Sequence, residues 1–155
     1  MGNTMAVAEK PSLIIADEPT SALDATIQAE IVDLLDELRR SLRSSIILIT
    51  HDLALLTEIA DRIMVMYAGK VVEIADRESI VSEPKHPYTR GLMESIKYDR
   101  KARLKAIKGS VPSLIDPPRG CRFVTRCPLA DRTCWDVEPK LRNIASSRKA
   151  ACHKV

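Results

Sequence analysis

Two carboxylates stand side by side where an apolar run stops: Leu13-Ile14-Ile15-Ala16 leads into Asp17-Glu18-Pro19. An Asp that helps hold a divalent cation, followed by a Glu that polarises a water, is the pairing that phosphoryl transfer to water requires. A second apolar run, Ile46-Ile47-Leu48-Ile49, ends at Thr50-His51-Asp52 and delivers an imidazole to the end of a second strand. Such groups also sit at strand ends merely to meet solvent, so taken singly both readings stand. Near the other terminus four thiols, Cys121, Cys127, Cys134 and Cys152, are spaced C-x5-C-x6-C-x17-C. These gaps are longer than those of paired zinc ligands. They are compatible with an iron–sulfur cluster ligated from separated turns, and equally with unrelated buried or free thiols.

The elements that must position these groups can be read from periodicity. Leu13 to Ala16 suits a strand buried on both faces that cannot run past Pro19. Ala25 to Leu42 predicts a helix, because Ile27, Ile31, Leu34, Leu35, Leu38 and Leu42 recur at spacings of three and four. Asp24 stands where an N-cap is needed. Ser45 to Thr50 is a second buried strand, and strand, helix, strand in this order predicts a right-handed parallel crossover. Both strands then end on one edge, where open parallel sheets bind their ligands. Further on, Leu53 to Ala60 predicts a short helix, and Arg62 to Met66 with Lys70 to Ala75 a hairpin turning at Ala68-Gly69. Arg77 to Ser82 and Tyr88 to Ile96 predict two more helices. Beyond Tyr98 periodicity fades after one basic stretch, Arg100 to Lys108.

Composition limits what the chain can be. Its 155 residues are 45% hydrophobic and 29% charged, too apolar for a disordered tail. No window has the roughly 18 uncharged apolar residues of a membrane span, and the start Met1-Gly2-Asn3-Thr4-Met5-Ala6 has the pattern of neither a signal peptide nor an N-myristoylation site. The net charge of +3 hides a division: residues 1–98 carry 10 Lys/Arg against 16 Asp/Glu, and residues 99–155 carry 14 against 5. All four cysteines lie in the basic part, and without an export signal they are not expected to form disulfides. A basic lobe can bind nucleic acid, but only Phe123, Trp135, Tyr98 and Tyr88 could stack on bases and no reading motif is present. Nucleic acid is therefore not expected as a partner.

Taken together, Leu13 to Asp24, the helix, the second strand and Thr50-His51-Asp52 resemble the second half of an ATP-binding cassette (ABC) ATPase. The resemblance implies an α/β fold, a partial P-loop (RecA-like) nucleotide-binding core with parallel strands. It implies that Asp17, as the Walker B aspartate, helps hold Mg²⁺ with ATP, and that Glu18 polarises the attacking water. Ser21 and Asp24 belong to the D-loop that meets a partner subunit, and His51 matches the switch histidine that reaches the γ-phosphate. Two family motifs are missing. The glycines, Gly2, Gly69, Gly91, Gly109 and Gly120, nowhere make G-x-x-x-x-G-K-[ST], and the signature motif is absent. Met5 to Pro11 looks like the tail of the helix after that motif, so the chain is expected to begin inside the domain. Without the phosphate loop and its Lys, Asp17 and Glu18 only add negative charge, so this polypeptide by itself is expected to bind ATP poorly and hydrolyse it hardly at all.

The second part carries a narrower resemblance. His86-Pro87-Tyr88-Thr89-Arg90-Gly91-Leu92, Val111-Pro112-Ser113-Leu114, Pro117 to Phe123 and Arg126-Cys127-Pro128-Leu129-Ala130 look like the C-terminal extension of ATP-binding subunits from oligopeptide and dipeptide importers. Glu138-Pro139-Lys140-Leu141 and Cys152-His153 continue it. There the four cysteines can hold a [4Fe-4S] cluster, so Cys121, Cys127, Cys134 and Cys152 carry over, with Arg119, Arg122, Arg126 and Arg132 able to offset its charge. Phe123 and Trp135 are expected to pack this lobe, and His153 to be incidental. The implied organisation is an incomplete nucleotide-binding domain over residues 1–98 and a loop-rich, cysteine-bearing extension over residues 99–155. The implied role is energising peptide import from the cytoplasmic face of the cell membrane, with transmembrane permease subunits and a second ATP-binding subunit as partners. The alternative is a stand-alone iron–sulfur or metal-binding module that regulates or interacts without catalysis.

Overall fold

The computed structural model describes residues 10–96 and 107–155. The expected helix tail over Met5 to Pro11 falls mostly outside the described residues, as does most of the basic stretch Arg100 to Lys108. The chain divides into two compact units, residues 1–52 and 53–155.

In the first unit, β1 (Leu13–Asp17) and β2 (Ser45–Ile49) pair in parallel, with Leu13 opposite Ser45 and Asp17 opposite Ile49. The helix α1 (Ala25–Leu42) connects them and packs against β2. Asp24 caps this helix as expected: its Oδ1 accepts the backbone N–H groups of Thr26 at 3.1 Å and Ile27 at 3.0 Å. Arg43 ends it in the left-handed region with φ 53°. Asp36 accepts from Arg39 one turn on, and that bond, helped by the charges of Arg40 and Arg39, holds its carboxyl below the usual range.

Two expectations are corrected here. The strands are not buried on both faces: Ile14, Ala16, Ile46 and Leu48 are half-buried, whereas Leu13, Ile15, Ile47 and Ile49 are exposed, Ile15 by 62%. Two strands and one helix can cover only one side of a sheet. On α1, Ile27 and Leu34 also turn outward, and Gln28 and Val32 take half-buried positions beside Ile31, Leu35, Leu38 and Leu42.

The second unit holds the core. The expected hairpin is β3 (Arg62–Tyr67) against β4 (Lys70–Asp76), turning through Ala68 and Gly69, both at positive φ. Two strands that periodicity did not reveal, β5 (Arg142–Ala145) and β6 (Arg148–Ala150), extend the sheet to the order β3-β4-β6-β5, antiparallel throughout. The stretches on either side of Tyr98 thus share one sheet. The helices are α2 (Leu53–Ile59), α3 (Arg77–Ser82), α4 (Pro87–Ile96) and the short α5 (Arg132–Asp136). Ile63, Val65, Tyr67, Val72, Ala75, Ile80, Met93 and Phe123 form the core, with Phe123 edge-on to Tyr67 at 5.1 Å.

One polar node crosses this core. The Glu73 carboxylate, fully buried, accepts the backbone N–H groups of Lys85 at 2.9 Å and His86 at 2.8 Å, and the Arg148 guanidinium at 3.2 Å. Arg148 also donates to the carbonyls of Ser79 and Glu83. Removing one member of such a pair strands a buried charge, at a cost of about 3–5 kcal/mol. Beside it His86 is 1% exposed and its Nδ1 accepts the Tyr88 N–H at the start of α4. Burial pushes its pKa down to about 4, with the Glu73 charge opposing and the Arg90 charge assisting.

The unfolded chain therefore takes up the His86 proton first as pH falls, so the stability tied to neutral His86 is fully present above about 6.5 and is lost towards pH 4. Thermal unfolding of the chain at pH 7 and pH 5 is expected to show a lower midpoint at pH 5. His86→Asn, which keeps an acceptor for Tyr88 but does not titrate, is expected to reduce that difference.

Candidate functional site

The site begins with the register of β1 and β2. Because Asp17 lies opposite Ile49, the residue after each strand emerges at the same edge: Glu18 after β1, Thr50 and His51 after β2. The Glu18 N–H continues the ladder to the Ile49 carbonyl at 2.9 Å. Glu18 then takes φ 48°, a left-handed conformation uncommon outside glycine, which turns the chain into the loop Pro19 to Asp24. Ala22 repeats the device at φ 63°. The loop is closed by Ser21 N–H to the Glu18 carbonyl at 3.1 Å and Leu23 N–H to the Thr20 carbonyl at 3.3 Å.

Glu18 and His51, 33 residues apart in sequence, meet at this edge. His51 Nδ1 hydrogen-bonds Glu18 Oε1 at 2.9 Å and lies as close to Oε2. A carboxylate only accepts, so Nδ1 carries the proton. The bond and the charge of Glu18 raise the His51 pKa, with a smaller contribution from the Asp52 charge. Glu18 Oε2 is itself buried and accepts no hydrogen bond from any described residue. Asp17 stands exposed at the end of β1. Ser21 and Asp24 lie in the exposed loop, where Asp24 spends its carboxylate on the helix cap. Glu18 and His51 are thus brought together, with Asp17 adjacent through the chain, while Ser21 and Asp24 remain on the loop.

Two residues that the sequence reading did not single out complete this edge. Gln28 Nε2 donates to Asp52 Oδ2 at 2.8 Å and reaches Thr20 Oγ1 at 3.5 Å, and Thr20 is buried. Gln28 was hidden because a lone polar residue on a helix reads as solvated surface.

The cysteines occupy the second unit. Cys134 and Cys152 are buried, Cys121 and Cys127 half-buried, and all four are free thiols. Gly120 is needed where the chain meets α5, since a Cβ there would lie 2.3 Å from the Cys134 carbonyl; Cys121 N–H donates to that carbonyl at 2.8 Å. Burial pushes the thiols of Cys121, Cys127 and Cys152 up, and backbone N–H groups of Phe123, Leu129 and Lys154 respectively act against this. Among the described residues no group of three or more His, Cys, Asp or Glu side chains is arranged to hold a metal ion, so the expected ligation by these cysteines finds no converged site. Their neighbours are also engaged otherwise than expected. Arg126 binds the carbonyls of Lys108 and Ile107 and lies over the Tyr67 ring, and Arg132 pairs with Asp136. Phe123 packs the core, but Trp135 is 51% exposed.

Comparison with known proteins shows what the chain is similar to. A family model described as the oligopeptide/dipeptide transporter C-terminal region matches residues 72–134. The dipeptide transport ATP-binding protein DppD of Haemophilus influenzae is 52% identical over 151 residues, which is 96% of this chain and 46% of that protein. DppD of Escherichia coli is 48% identical over the same shares, as is the oligopeptide transport ATP-binding protein AppD of Bacillus subtilis over 150 residues. The chain is thus similar to the C-terminal half of these ATP-binding proteins. It spans about half the length of these relatives. The match runs through the first unit as well as the second, so the Glu18 and His51 edge and the cysteine lobe both fall within it.

Proposed function

We propose that the chain carries the water-activating edge of an ATP site in the ATP-binding subunit of a di- or oligopeptide importer, within a partial P-loop (RecA-like) core. The observation that carries this reading is the Glu18–His51 pair at the carboxyl edge of a parallel sheet, with Glu18 Oε2 free of any described hydrogen bond. The names of the similar proteins, dipeptide and oligopeptide transport ATP-binding proteins, supply the substrate class.

The donor chemistry suits the expected ligand: an exposed carboxylate at a strand end is a hard oxygen donor for Mg²⁺. Asp17 would help hold the cation, and bound Mg²⁺ with ATP supplies the electrophilic γ-phosphoryl group and offsets its charge. Glu18 Oε2 accepts a hydrogen bond from the attacking water and orients it. His51 fixes the plane of that carboxylate through Nδ1, which leaves the other nitrogen of a largely exposed ring for a phosphate oxygen. Ser21 and Asp24, on the exposed loop, face a second ATP-binding subunit. We place the chain at the cytoplasmic face of the membrane, docked to permease subunits; no helix among the described residues is long and apolar enough to cross a membrane. By function we divide it into a nucleotide-binding part, residues 1–98, and an extension, residues 99–155.

For the extension we propose Cys121, Cys127, Cys134 and Cys152 as the ligands of a [4Fe-4S] cluster. The support is the donor set, four free thiols in the second unit spaced C-x5-C-x6-C-x17-C; holding a cluster requires them to draw together, since the described side chains are not converged on one metal. Iron and sulfide analysis of anaerobically purified chain is expected to find both; their absence overturns this assignment and leaves the nucleotide edge untouched.

The central reading is tested on the membrane complex purified from source cells through this chain. Mg²⁺-dependent ATP hydrolysis is expected in the preparation, falling at least ~100-fold with Glu18→Gln. An unchanged rate in that variant overturns the reading.

A further inference from the structure

We infer that Gln28 is a positioning residue for the reacting edge: through Asp52 and Thr20 it ties helix α1 to both loops and holds His51 against Glu18. The inference rests on the reading of that edge as the water-activating site. It adds a residue that touches none of the reacting atoms.

The geometry assigns the role. Glu18 and His51 sit on different loops, one after β1 and one after β2, and the strand ladder ends at the Glu18 N–H to Ile49 bond. Beyond that bond something else must keep the loops in register. Asp52, next to His51, has its N–H on Thr50 Oγ1 at 3.0 Å and its Oδ2 on the Gln28 amide at 2.8 Å. The same amide reaches Thr20, the buried residue two after Glu18, at 3.5 Å. Gln28 is in turn fixed by the cap: its N–H donates to the Asp24 carbonyl at 2.9 Å, and the Asp24 side chain anchors the first turn. One side chain from a capped helix therefore spans both loops at a half-buried place, where a hydrogen bond to a charged group is stronger than one between neutral partners.

The residue type matters as well as the place. Lys or Arg would also bind Asp52, but would add a positive charge to an edge whose carboxylates act as anions. The amide donates without charge. Glutamate has the same shape and no donor when ionised, so Gln28→Glu sets two carboxylates against each other.

The full chain, isotopically labelled, supplies the test through the His51 imidazole: the proton on Nδ1 seen in its nitrogen shifts, and proximity of the ring to the Glu18 side chain. Gln28→Glu is expected to abolish that proximity and redistribute the ring proton, with the remaining signals and circular dichroism preserved. Combining Gln28→Glu with Asp52→Asn restores the bond with donor and acceptor exchanged, and is expected to restore the His51 signature. Asp52→Asn alone keeps an acceptor oxygen and is expected to keep it too. If Gln28→Glu does not fold, Gln28→Ala, which removes the donor without adding charge, is read in the same way.

An unchanged His51 signature in the folded single variant, or failure of the double variant to regain it, overturns the role of Gln28 while leaving the function of Glu18 standing. Absence of the signature in the unsubstituted chain overturns the Glu18–His51 pairing and the inference with it.

Discussion

The parallel register of two five-residue strands sets the chemistry of this chain. With Asp17 opposite Ile49, the side chains one and two residues on come to one edge, and only this alignment puts the Glu18 carboxylate within 2.9 Å of the His51 imidazole. A slip by one residue would carry every side chain of one strand to the other face and leave Glu18 without its partner. The capped helix between the strands and the positive φ at Glu18 serve the same alignment: the first fixes the crossover, the second turns the chain into the loop and leaves the carboxylate at the edge.

In the second unit a different constraint dominates. A sheet assembled from segments far apart in sequence has to bury a carboxylate, and Glu73 is tolerated because Arg148, Lys85 and His86 all donate to it. The node joins β4 to β6 and to the start of α4, and the neutral His86 beside it ties the packing to pH. The cysteine segment lies on this unit, close-packed through Gly120 and buried at Cys134 and Cys152.

The sequence disclosed elements whose cause is local and hid those whose cause is tertiary. Helix α1 was legible to the residue, because Asp24 marks its cap and the apolar spacing its length; the hairpin was legible from Ala68-Gly69 between two β-rich runs. The burial of β1 and β2 was not legible, since an apolar run states what a strand prefers and not what covers it; Ile15 and Ile47 lie open. Strands β5 and β6, Arg-Asn-Ile-Ala and Arg-Lys-Ala, carry no alternation, and β6 joins β4 where Arg148 meets Glu73 across 75 residues. At the site, Asp17, Glu18 and His51 were legible as strand-end residues of a recognised string. Gln28 was not, because its meaning lies in Asp52 and Thr20, which only the fold brings near. The four cysteines were legible as a set by spacing, yet spacing does not say whether they converge, and among the described residues they do not form a metal-holding group.

The central claim is that Glu18 and His51 act on one event as a unit. The measurement that tests it most directly is a double-mutant cycle on single-turnover ATP hydrolysis by the membrane complex containing this chain, with Glu18→Gln, His51→Ala and the two combined. Residues that act together lose little more when both are removed than when the more damaging one is. The account predicts that the double variant hydrolyses ATP at about the rate of the slower single variant. Losses that multiply, each substitution exacting its full cost regardless of the other, would contradict it.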